Sequence, residues 1–362
     1  MGGGARPRTA DANPAGGQPM TAPPTAADNA CRWDGARRGH YEVWYLTCNH
    51  LASRTGYWIR YTLEAPLAGR GDPYAQLWFA RFDKRDPSRT FAINRVVPIE
   101  TFSAGDRPFC VRIGDAELRH DAMRGAIAGA GHDVSWDLRW RPAAHTHRHL
   151  PGLMYRRGGL GDTTVLSPNL DVPVRGTVRV DGRAVEFSGD PGGQTHLWGR
   201  KHAHAWAWGH CNAFDGHPGA AFEVLTVRLR RRGRVSPPLT LLSLYAGGAA
   251  YCMTGFADTL RARGTWTTGR YAFRAERGDV RIEGEFSCRP DDMVVARYAD
   301  PDGEPAYCSN TEVGDLRVTL WRRAGRRGPW REQMRLVAPG TGHFETGGRT
   351  RDRAVVKDHV TV

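Results

Sequence analysis

The chain has 362 residues, enough for two domains or one large one, and either can bury a substantial core. Its 51 Lys and Arg outnumber 38 Asp and Glu, a formal net charge of +13, yet only Lys84, Lys201 and Lys357 are lysines. Because the densest basic stretch, 228–234, spans only a few residues, this charge argues against nucleic-acid binding, and it fits weak peripheral attraction to an anionic membrane surface.

Residues 1–30 are rich in Gly, Ala, Pro and Thr and lack the apolar segment of a signal peptide, so they read as a disordered tail. From Trp33 onward, short β segments alternate with Gly, Pro, Asp and Arg clusters. Strands are expected at 41–48, 57–63, 75–82, 91–98, 134–140, 176–180, 184–187 and 205–211. Others follow at 221–229, 239–245, 271–273, 280–286 and 316–321, with one short helix near 115–124. No stretch approaches the length of a membrane-spanning helix. The seven cysteines form no CxxC pair, which fits reduced thiols in a cytoplasm better than a zinc ribbon or a disulfide framework.

An internal echo organises these strands. At an offset of 163 residues, Val43, Tyr45, Thr47, Cys48 and Asn49 fall on Trp206, Trp208, His210, Cys211 and Asn212, and Gly56 falls on Gly219. Two related β units in tandem follow: an N-terminal domain at 31–190, a C-terminal domain at 191–352 and a tail at 353–362. Turn-forming residues at 188–193 mark the boundary.

Between Gly193 and Phe214 lie four histidines, three tryptophans, a cysteine and an asparagine. Trp206, Trp208, His210 and Asn212 recur with period two, so an extended chain presents them on one face. The clusters His145/His147/His149 and His202/His204 lack a cysteine or carboxylate in suitable register, so no metal is expected. GxSxG, Walker and dinucleotide fingerprints are absent.

With His196-Leu-Trp198-Gly199, Trp206-Ala-Trp208, Tyr41-Glu-Val-Trp-Tyr45 and Gly342-His-Phe-Glu345, the chain resembles the two-domain lipocalin-like proteins. That group includes carotenoid 1,2-hydratases (hydroxyneurosporene synthases) and tocopherol cyclase-like proteins. The resemblance implies an all-β fold of two tandem lipocalin-like (calycin) β-barrel domains, a hydrophobic, isoprenoid or polyketide-like ligand, and no cofactor. It also implies acid-assisted hydration, cyclisation or isomerisation, in which a proton added to an alkene leaves a carbocation shielded by aromatic walls. A carrier that only binds such a ligand is the alternative.

Glu223 shares a strand face with Leu225, Val227 and Leu229 and is the expected proton donor, its carboxyl raised in pKa by an apolar barrel interior. A structural ion pair with an arginine is the other reading. The echo sets Arg60 opposite Glu223, so the acid belongs to the C-terminal copy alone. His196 is expected as the partner of Glu223, or else as a histidine satisfied by a backbone carbonyl. Trp198, Trp206 and Trp208 are expected as aromatic walls, or as packing. His210 and Asn212 either orient a polar ligand group or join the domains through a buried network.

Overall fold

The protein is described by a computed structural model at residues 26–155, 162–325 and 327–362. The first sheet is built from β1 (His40–His50), β2 (Thr55–Ala65), β3 (Tyr74–Asp83), β4 (Phe91–Pro98), β5 (Phe102–Asp106), β6 (Phe109–Ile113), β7 (Ala116–Arg119), β8 (Ala122–Gly129), β9 (His132–Trp140), β10 (His147–Arg148), β11 (Thr163–Val180) and β12 (Arg183–Gly199). The remaining strands are β13 (Ala205–Cys211), β14 (Ala221–Arg228), β15 (Arg230–Arg231), β16 (Arg234–Val235), β17 (Leu239–Ala246), β18 (Ala249–Met253), β19 (Arg263–Thr267), β20 (Arg270–Arg277), β21 (Val280–Ser287), β22 (Val294–Ala299), β23 (Pro305–Arg322), β24 (Arg331–Gly348) and β25 (Val360–Thr361). The chain is all-β, and where a helix was expected at 115–124 it forms β7 and β8. Ala116 and Leu118 enter the apolar core there while Glu117 between them binds Arg112 and Arg119, a period of two.

The two sheets share one connectivity. The first runs β25-β4-β3-β2-β1-β12-β11-β9-β8-β7-β6-β5, and the second β18-β17-β14-β13-β24-β23-β21-β20-β19. In each, the opening strand pairs with the return strand of a long hairpin, β11–β12 or β23–β24, and a short strand, β10 or β22, adds to that hairpin off the main path. The echo of 163 residues is therefore a repeated topology. It slips after the first turn: Thr47 faces Trp58, whereas His210 faces Glu223, so in register Glu223 corresponds to Trp58 rather than Arg60. A slip of two residues keeps every side chain on its own face.

Each sheet rolls over its own core, bringing β4 against β8 and β17 against β19, but neither strand path closes into the expected barrel. The reasons are local. β25 returns from the C-terminus to occupy the edge of β4 in parallel, and the link from β18 to β19 passes through a helix, Phe256–Arg261, packed on β17 and β20.

A third core lies between the sheets. Trp44, Leu46 and Cys48 point into the first core, while Tyr41, Val43 and Tyr45 on the same strand meet Trp206, Trp208 and Tyr298 of the second sheet. Both faces of β1, and of β14, are thus covered.

Three expectations change at the domain edges. β12 continues through the expected boundary to Gly199, so His196 and Trp198 belong to the first sheet. The expected tail 353–362 supplies β25 and a buried Val355. Of the expected N-terminal tail, residues 1–25 lie outside the described residues, but Asp28, Asn29 and Ala30 are buried. Among the described residues no helix is long and apolar enough to cross a membrane.

Candidate active site between the two sheets

The outer faces of β1, β12, β13 and β14 enclose a cavity of about 220 Å³. Tyr41, Val43, Tyr45 and Leu197 line it from the first sheet, and Trp206, Trp208, Leu225 and Val227 from the second. This volume is below the ~300–1,000 Å³ typical of drug-sized ligands, so it suits a ring system or short prenyl chain better than a long polyene. Trp206 and Trp208, which period-two spacing places on one face, both line this cavity. Gly347 permits the arrangement, because a Cβ there would lie 2.1 Å from the Trp206 ring.

Each wall tryptophan donates its indole N–H to a carboxylate. Trp206 Nε1 donates to Glu345 Oε1 at 2.7 Å, and Trp208 Nε1 to Glu223 Oε1 at 2.5 Å. Glu345 reaches the cavity wall itself, and its other oxygen accepts from Cys308 Sγ at 3.1 Å.

Glu223 shares a face with Leu225 and Val227 as expected, but that face looks toward the first sheet, while Phe222 and Val224 fill the second core. Its electrostatics also reverse the expectation. Burial raises the carboxyl pKa, but His149 Nε2 donates to Oε1 at 2.6 Å and His210 Nδ1 to Oε2 at 2.9 Å, and together they hold it well below the carboxylate range. That direction is the opposite of the raised pKa its apolar neighbours suggested for a proton donor.

His149 directly follows β10, in the first half of the chain. Asp28 secures that segment by accepting from Thr146 Oγ1 at 2.6 Å and from Arg148 at 2.8 Å. The His145/His147/His149 run therefore supplies an anion's partner, and among the described residues no cluster suits a metal.

His196 and Glu223 do not meet. His196 donates from Nδ1 to the Asp28 carbonyl and from Nε2 to Glu42, each at 2.8 Å, and stacks on Trp44 inside the first domain. Burial raises the Glu42 pKa, but His196, His40 and nearby charge outweigh it and bring it down to about 2. Trp198 lies on the same face as His196 beneath the Arg32 guanidinium, away from the cavity, and only Leu197 between them reaches it. The pair anchors the N-terminal segment, because the cavity is on the opposite face of β12.

Asn212 also stays out of the cavity. It donates to Asp171 Oδ1 and to the Gly192 carbonyl, both at 2.9 Å, while its echo Asn49 donates to the Glu312 carbonyl at 2.7 Å and accepts from His343 Nε2 at 2.5 Å. The repeated asparagines reach across the domain interface in opposite directions, which explains why the Cys-Asn pair recurs. His210 has a mixed place: it holds Glu223, stacks on Trp208 and lies tilted 5.4 Å from the His343 ring, and it is not among the residues lining this cavity.

A family model described as tocopherol cyclase-like matches residues 166–348, just over half of the chain. The chain belongs to the tocopherol cyclase-like family. Among tocopherol cyclase-like relatives, a probable chloroplastic tocopherol cyclase of Oryza sativa subsp. japonica is 23% identical over 41% of this chain and 32% of its own length. The uncharacterized protein Rv0493c of Mycobacterium tuberculosis is 28% identical over 90% of this chain and 92% of its own. The crystal structure of a putative AttH from Nitrosomonas europaea covers 91% of this chain and 100% of its own, with a TM-score of 0.56 at 16% identity, and so shares the fold. The match to the family model includes β13, β14 and β24, hence both wall tryptophans and both of their carboxylates.

In this tocopherol cyclase-like chain a second cavity of about 640 Å³ is lined by His147, Asp171 and Tyr245, and Leu150 borders both cavities. Tyr245 donates its hydroxyl to His147 Nδ1 at 2.9 Å, and burial, together with neighbouring His149, pushes the His147 pKa down to about 3. A neutral folded ring and an unfolded one that protonates below 6.5 mean that stability present above pH 6.5 is lost as pH falls toward 3. Between pH 7 and pH 5 this site is expected to cost the wild type about 2 kcal/mol that His147→Gln does not lose. Urea unfolding of both proteins at the two pH values checks it, and parallel losses would refute it.

Proposed function

We propose that this protein admits a small hydrophobic molecule of isoprenoid or polyketide-like character to the cavity between its sheets and protonates it, leading to hydration, cyclisation or isomerisation. The observation that carries this reading is the pairing of both wall tryptophans with carboxylates. An anion on an indole N–H enriches the ring's π face, and a π face attracts a cation by about 0.5–2 kcal/mol. A carbocation formed against Trp206 and Trp208 would meet two such faces with little water to capture it at random. Glu345, at the wall itself, is the group that handles the proton. Glu223, with His149 and His210, positions Trp208. The name of the rice relative, a probable tocopherol cyclase, supports a ring-closing outcome.

A carrier is the second reading, favoured by the two histidines that hold the Glu223 carboxyl well below the usual carboxylate range. Incubation with a prenylated phenol and with an acyclic prenyl alkene, followed by chromatography coupled to mass spectrometry, separates the two. An isomer of the starting mass, or a product one water heavier, is the expected result. Capture without change supports the carrier, and absence of capture defeats both.

A further inference from the structure

Arg60 projects from β2 into the same cavity and is only 4% exposed. Its guanidinium sits in an aromatic box, 4.3 Å from the Tyr298 ring and 5.6 Å from each of the Trp58 and Trp78 rings. Its single recorded polar contact is Nε donating to Thr62 Oγ1 at 2.8 Å, and among the described residues no carboxylate lies within ion-pair distance. Glu64, four residues on and on the same strand face, is also buried, and burial pushes its carboxyl well above the usual range.

A guanidinium cannot give up its proton to escape this cost, and aromatic faces compensate it only in part. A buried arginine without a counter-ion, turned into an apolar cavity, is complete only when something in the cavity supplies the anion. We propose that Arg60 is the head-group recognition point of this cavity, and that the ligand is an amphiphile whose anionic oxygen pair, a carboxylate or a phosphate, docks on the Arg60 fork. The apolar body then extends along Tyr45 toward Trp206 and Trp208, since Tyr45 touches both Trp58 beside the arginine and Trp208 on the far wall. The fork geometry suits either oxygen pair. Arg60 thus fixes which end of the ligand faces the carboxylate-backed tryptophans.

The inference rests on the cavity being a ligand site, and the test keeps the two claims apart. Geranic acid, geranyl monophosphate and methyl geranate are titrated into wild type, Arg60→Met and Arg60→Lys, with affinity read by calorimetry. Wild type is expected to bind at least one of the two anions tenfold or more tightly than the ester, and the better anion identifies the head group. In Arg60→Met that preference is expected to vanish while the ester binds more tightly than to wild type, which also shows that the variant is folded. Arg60→Lys, with charge but no fork, is expected to keep part of the preference. Equal binding of anions and ester to wild type, or a preference that survives in Arg60→Met, overturns the inference and leaves the cavity's function standing. Failure of all three ligands to bind wild type overturns both.

Discussion

Glu223→Ala is expected to destabilise the protein by about 3–5 kcal/mol, the range for removing one partner of a buried charge cluster. The carboxylate is 2% exposed and receives hydrogen bonds from His149, His210 and the Trp208 indole, all three of them buried side chains. Removing it strands three donors where water has little access, and each buried donor without a partner costs about 1–3 kcal/mol. These costs overlap, so they do not add. The loss should be cooperative across the interface, because His149 belongs to the first half of the chain and Glu223 to the second. Glu223→Gln retains the shape and one acceptor oxygen but presents an amide N–H to donors, so a smaller loss is expected. Urea denaturation with tryptophan fluorescence measures both, and an alanine variant within 1 kcal/mol of wild type would show that the network holds nothing together.

Much of the fold was legible because short β segments such as Tyr41 to Cys48 and Ala205 to Cys211 are bounded by Gly, Pro, Asp and Arg clusters. The Cys-Asn echo gave the tandem repeat, and both of its asparagines bond across the interface. What the alternation could not provide was the inside. On β12 and β14 both faces are buried, one by the strand's own sheet and one by the other domain, so the pattern groups Glu223 with Leu225 and His196 with Trp198 without saying which group meets a cavity. The His-x-Trp pair was assigned to the cavity for that reason, and it lies on the opposite face.

Two other omissions have different causes. β24 was not among the expected strands, and it carries five turn-forming residues, Pro339, Gly340, Gly342, Gly347 and Gly348. The strand bends through shifted register near Gly314 and Gly342, with Gly340 at φ +77°, and Gly347 makes room for the Trp206 ring. With β24 went His343 and Glu345, although the Gly342-to-Glu345 motif was in view. His149 was weighed only as a metal ligand. Its partner lies 74 residues away in the chain, a separation that no local pattern reports.

Glu345→Gln is expected to lower turnover by roughly 10²–10⁴-fold, the usual contribution of a positioned general acid or base. The substitution is close to isosteric, and the amide oxygen can still accept from Trp206 Nε1, so the wall should stand and ligand affinity should change far less than turnover. That split separates proton handling from cavity shape. Gly347→Ala, by contrast, pushes the Trp206 ring out of place and should weaken binding itself. Glu223→Gln falls between them, because a carboxylate that fixes Trp208 without touching the cavity contributes through the ring it holds. Single-turnover rates and ligand affinities for the three variants, each checked for folding by thermal melt, give the comparison. If Glu345→Gln turns over at the wild-type rate, the proton reaches the ligand by another route, and the buried chain from His147 through His149 to Glu223 becomes the one to examine next.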